Sequence, residues 1–208
     1  MTVLAAEQLS SPPSVRSRRD TVRNKRRLLN AAGELLREDP QNATMPAIAE
    51  KAELSVATAY RYFPTLEELH KEYLHGVLVN LRDYSLGSPL RGKALFEDVV
   101  ARHVKLLETY GPAMIQLRSP EGFLTRLHRG DEVIGTLHEA WERPVREVIR
   151  ELGLSEGLFE FALMFCNSHF DPRELDDLFK NRGNLSEAAA LRILINSFYG
   201  ALKGMAES

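Results

Sequence analysis

Between Thr44 and Leu69 the chain sets three helix starts and one proline stop within 26 residues. Thr44 is a good N-cap, and Pro46 falls in the first turn, where its missing N–H costs nothing. Ile48, Ala49 and Ala52 supply an apolar face, and Glu53-Leu54 makes a tight turn. Ser55 is a second N-cap and opens a segment from Val56 to Phe63. Pro64 drives Phe63 out of the α region, so that segment stops there. Thr65 caps a longer helix, with Glu68 three residues on to complete a capping box. The spacing predicts two short helices, a turn and the start of a third helix.

Two short helices joined by a few residues form the helix-turn-helix plan, whose second helix enters the DNA major groove. Thr58, Tyr60, Arg61 and Tyr62 are the exposed donors on that helix, which carries no acid. A surface αα-hairpin with an aromatic face has the same local pattern. The run L-S-V-A-T-A-Y-R-Y-F-P-T-L-E-E-L, with Thr44, Ile48-Ala49 and Ala52 before it, resembles the signature of the tetracycline-repressor (TetR) family of transcription regulators. The resemblance spans roughly residues 20 to 84. It departs at two positions: the usual turn glycine is Glu53, and the usual lysine opening the fourth helix is Leu66. What the resemblance implies is an all-α fold: an N-terminal helix-turn-helix domain and a helical ligand-binding and dimerisation domain. It further implies a homodimer that binds double-stranded operator DNA, acting as a repressor released by a small-molecule effector. Thr44, Tyr62, Thr65 and the basic first helix with Arg27 are then expected on DNA phosphates, Val56, Ala57, Thr58, Tyr60 and Arg61 at or near base edges, and Ser55 as a further DNA-binding position.

Charge is distributed to match. The net charge is −2, but residues 1–30 hold seven cations against two acids, leaving twenty cations against twenty-seven acids in the remainder. The positive end lies beside the candidate reading helix, as an electrostatic footprint on DNA requires. Residues 1–19 read as a basic, disordered arm whose Arg16, Arg18 and Arg19 lie on phosphates, enter a minor groove or stay solvated. One cysteine excludes an intramolecular disulfide, no apolar run approaches a membrane span and no secretion signal opens the chain, so the expected location is the cytoplasm.

The first helix is expected from Asp20 to Arg37, with Leu28, Ala32, Leu35 and Leu36 as its apolar stripe. The fourth, from Thr65 to Leu86, carries Leu66, Leu69, Tyr73, Val77, Leu81 and Tyr84 in phase, and Gly87-Ser88-Pro89 ends it. This sets a boundary near 86, between a reading domain (20–86) and a second domain (87–208). Beyond it, helices are expected over 94–110, stopped by Gly111-Pro112, and over 113–117, 121–128 and 132–152. Pro144 should kink or split the last of these. Further helices follow over 155–169, 172–179 and 186–205. The final helix has two apolar stripes, Leu191, Leu194, Ile195, Phe198 and Leu202 on one and Ala190, Ile193, Ser197, Ala201 and Gly204 on the other. That breadth fits either a subunit interface or the centre of a monomer core.

Signals for catalysis are weak: Cys166 stands alone, the six histidines are scattered, and no metal-ligand spacing or glycine-rich phosphate loop occurs. No catalytic residue, metal or cofactor is assigned. His103, Met114, Leu117, Phe123, Leu127, Trp141, Phe161, Phe165 and His169 are candidates to line an apolar effector pocket. The rival reading is an all-α carrier or enzyme whose N-terminal helices are only structural.

Overall fold

The computed structural model describes residues 15–116 and 120–206. Ten α-helices and two short 3-10 turns make up these residues, with no strand among them. Helix α1 (Val15–Glu38) begins earlier than the expected Asp20, and residues 1–14 of the expected arm lie outside the described residues. A 3-10 turn (Pro40–Asn42) leads into α2 (Met45–Lys51) and α3 (Val56–Tyr62). Leu28, Ala32, Met45, Ile48, Ala49, Ala59, Phe63 and Leu69 close the first hydrophobic core. The three caps form as expected: Thr44, Ser55 and Thr65 each accept from the backbone N–H three residues on, at 3.4, 3.1 and 3.1 Å.

Helix α4 (Leu66–Gly87) supplies both cores, Leu69 to the first and Val77 and Leu81 to the second. Tyr73 lies against α1 because Gly33 leaves room for its ring; a Cβ on Gly33 would come within 2.5 Å of the Tyr73 hydroxyl. On its other side the Tyr73 ring meets Tyr110 edge-on at 5.8 Å. Tyr84, expected in the apolar stripe, is instead exposed, and its hydroxyl donates to the Asp98 carboxylate at 2.9 Å.

The second core is closed by α5 (Gly92–Gln116), α6 (Phe123–His128), α7 (Glu132–Glu151), α8 (Phe159–His169), α9 (Pro172–Asn181) and α10 (Glu187–Ala206). Stacked and edge-on rings of Phe96, Trp141, Phe170 and Phe198 fill its centre. The expected stop at Gly111-Pro112 is corrected, and the expected split at Pro144 does not occur. Helix α5 runs through Gly111-Pro112, and α7 runs unbroken through Pro144. At Pro112 the lost bond frees the carbonyl of Glu108, an exposed residue that water can serve. At Pro144 the cost is about 3 kcal/mol. Trp141, Val145, Val148 and Ile149 are all buried around it, and each contributes about 1.5–3 kcal/mol by burial, so packing wins over local propensity.

Arg143 on α7 ties off the end of α4. Its guanidinium donates to the carbonyls of Ser85, Leu86, Ser88 and Leu90 at 3.1, 3.2, 3.0 and 2.8 Å. These include two of the last carbonyls of a helix, which have no intrahelical donor. Arg143→Met keeps much of the stem packing and removes the donors. It should lower unfolding stability by about 1–3 kcal/mol. An unchanged midpoint in urea would show that water replaces the guanidinium at no cost.

Candidate nucleic-acid interface and adjoining cavity

Helix α3, the candidate reading helix, is short, and caps and a turn hold it. Ser55 accepts from the Thr58 N–H, and the two hydroxyls lie 2.8 Å apart. Ala59 alone is buried within α3, against α2; Val56, Ala57, Tyr60 and Arg61 are exposed, and Thr58 is half-buried. The first four base-edge candidates therefore share one open surface, while the Thr58 hydroxyl is engaged with the cap. Thr44 and Thr65, at the starts of α2 and α4, are exposed as well. Tyr62 is half-buried, and its hydroxyl accepts from Asn24 of α1 at 3.3 Å, a bond that lowers its pKa.

Between α2 and α3 lies the one non-glycine residue with positive φ among the described residues, Glu53 at +51°. Leu54 N–H bonds the Ala49 carbonyl and Glu53 N–H bonds that of Glu50, both at 2.9 Å. This is a Schellman stop, whose left-handed position is usually glycine. The chain accepts the cost of a Cβ there and gains an ion pair between Glu53 and Arg27 of α1. Arg27, expected on phosphate, is thus matched by an acid on the same surface. Lys25 is likewise paired with Glu72 at 3.0 Å and Arg23 with Asp20 at 3.2 Å. Among the described residues Arg19, Arg26 and Arg61 have no acidic partner. Asp20 is local to α1 and enters its charge count, whereas Glu53 and Glu72 come from elements distant in the chain and do not.

The second site is a cavity of about 140 Å³ beside α4. Leu74 and Leu78 of α4 form one wall, facing Val133, Ile134, Leu137 and Trp141 of α7. His103 and Met114 come from α5, Phe123 and Arg126 from α6, and Cys166 and Asn167 from α8. Of the expected lining residues, His103, Met114, Phe123 and Trp141 are brought together here. Four are not. Leu127 is half-buried elsewhere on α6 and Phe161 is 50% exposed on α8. Phe165 stacks on Phe198 at 5.6 Å, and the His169 ring nitrogen bonds the Leu194 carbonyl at 2.9 Å. Leu117 lies outside the described residues. Burial pushes the Cys166 thiol up, away from the reactive thiolate. Among the described residues no group of three His, Cys, Asp or Glu side chains is placed to hold a metal ion, and no helix is long and apolar enough to cross a membrane.

Residues 28–73 match the model of a family described as bacterial regulatory proteins, tetR family. No curated protein matches the chain significantly. Among solved structures, one from Mesorhizobium loti MAFF303099, described as a TetR-family transcriptional regulator, is 17% identical, covering 89% of this chain and 97% of its own, with a TM-score of 0.55. Another, from Shewanella sp. PV-4 and described in similar terms, is 20% identical, covering 86% and 97%, with a TM-score of 0.56. At these identities the likeness is one of fold.

Two substitutions test the interface. Arg61→Ala removes an exposed, unmatched guanidinium and should weaken binding to a DNA site selected by the protein by about 1–3 kcal/mol, with helicity unchanged. Wild-type affinity in that variant would move base reading to another helix. Glu53→Gly should act in the opposite sense, because it relieves the left-handed Cβ and frees Arg27. Affinity for specific and random DNA should rise together, and the slope of log K against log salt should steepen by about one per subunit. An unchanged slope would mean that Arg27 does not reach phosphate.

Proposed function

We propose that this TetR-family transcriptional regulator works as a homodimeric repressor that a small molecule releases from a palindromic operator. The observation that carries this reading is the position of α4. One end packs under the reading helices through Leu69, and the middle forms a wall of the cavity through Leu74 and Leu78. A ligand that binds one arrangement of α4 better than another shifts the equilibrium between them by that difference in affinity. Such couplings typically amount to about 1–3 kcal/mol. His75 of α4 meets the Thr136 hydroxyl of α7 at 2.9 Å, and Arg82 meets Glu139 at 3.4 Å, so the two helices lining the cavity are also joined by polar contacts.

Dimerisation is supported by the outer face of α10 and the neighbouring α8. Ile193 is 55% exposed and Phe161 50%, and Ser197 and Gly200 continue the Ile193 face as small, exposed residues. A Cβ added at Gly200 would meet no atom within 4 Å, so a partner helix can approach closely there. Two reading heads bound to one site double the phosphate contacts, and with them the salt-dependent part of affinity.

Ser197→Arg places a long cation on that face without touching either core. Light scattering should then report monomers, and affinity for the selected operator should fall while far-UV circular dichroism is kept. A variant that remains dimeric would locate the subunit contact on another face.

A further inference from the structure

The cavity beside α4 has the size of a single ring, and among its described lining residues His103 carries a fully buried ring nitrogen with no hydrogen-bond partner. Its volume, about 140 Å³, is close to that of apolar cavities that take up benzene. Among the described residues the charges at its wall are paired. Arg126 pairs with Asp131 at 3.0 Å, and that carboxylate also accepts the N–H groups of Val133 and Ile134. Glu121 pairs with Arg129 at 2.7 Å. Among the described residues an ionised ligand would find no unpaired counter-charge there, and its desolvation would go uncompensated.

His103 is the exception. It is 4% exposed and lines the cavity, edge-on to Trp141 with ring centres 5.6 Å apart. Its Nε2 lies 3.2 Å from the Phe170 carbonyl oxygen. A carbonyl only accepts, so Nε2 carries the proton and Nδ1 is a bare acceptor. Among the described residues Nδ1 has no hydrogen-bond partner. Burial lowers the imidazole pKa to about 4, so the ring stays neutral near pH 7. A buried acceptor without a donor is unfavourable, and a ligand that supplies the donor removes that penalty.

We propose that the cavity takes a small, neutral, single-ring molecule bearing one O–H or N–H donor, a phenol-like ligand whose donor meets His103 Nδ1 while its ring packs against Trp141 and Leu137. The inference rests on the effector role given to this cavity above, and narrows it to a ligand class. The donor selects against hydrocarbons of the same shape, and the balanced wall selects against carboxylates.

Trp141 is the one tryptophan of the chain, so its fluorescence reports occupancy directly. The full-length protein is titrated with phenol, toluene and benzoate. Phenol should give a saturable change, with toluene about tenfold weaker and benzoate weaker still. In His103→Leu, checked for native helicity, phenol should fall to the level of toluene while toluene keeps its affinity. Should that variant not fold, the wild-type phenol-to-toluene ratio decides alone. Equal affinities for phenol and toluene, benzoate as the tightest ligand, or no saturable response to any of the three would overturn the proposal. A parallel shift assay on the selected operator separates the two readings. Phenol binding that depends on His103 but leaves operator affinity unchanged keeps the ligand class and removes the effector role.

Discussion

Helix α4 is shared by two hydrophobic cores, and the rest of the molecule is arranged around that sharing. Its 22 residues span about 33 Å, enough to run from beneath the reading helices to the far side of the second core. Leu69 is fixed at one end, Val77 and Leu81 further along, and Arg143 binds the carbonyls at the close. Gly33 and Tyr73 seat α1 on the same helix. A packed helix does not deform continuously, so in the proposed mechanism a change in how α4 meets α7 at the cavity is carried to the surface on which α1, α2 and α3 rest.

The reading surface is less basic than a count of its cations implies. Three cations of α1 are matched by Asp20, Glu53 and Glu72, each an exposed or partly exposed pair of small intrinsic strength. Such pairs exchange readily for a phosphate, and each acid left behind tempers non-specific binding. Arg61 differs: it lies over the Tyr62 ring, 5.2 Å from its centre, and no acid competes for it. The proposed roles, specificity resting on Arg61 and non-specific affinity resting on α1, are therefore separable by substitution.

Much of the reading head was legible in the sequence because its signals are local. Caps at Thr44, Ser55 and Thr65 and the stop at Pro64 each act within one turn of helix, and each formed where the pattern placed it. The departure at Glu53 was visible as a missing glycine, although its pairing with Arg27 was not. The second core was legible as helices but not as a site. Pro112 and Pro144 signal breaks locally, yet α5 and α7 run through them, and at Pro144 tertiary burial outweighs the local signal. The cavity depends on which faces of α4 and α7 leave a gap between them. Nothing in the periodicity distinguishes Leu78, which lines it, from Leu81, which fills the core. Aromatic richness pointed to Phe161 and Phe165, yet one lies on the surface and the other is stacked on Phe198.

The claim on which the account stands is that α3 reads bases rather than merely resting near DNA. The direct measurement is the ratio of affinities for a fragment selected from genomic DNA and for the same fragment scrambled, at one fixed physiological salt concentration. Specific recognition predicts a ratio of about 10³ or more. A ratio near one, with binding that only tracks salt, would contradict it and leave a basic surface without a code.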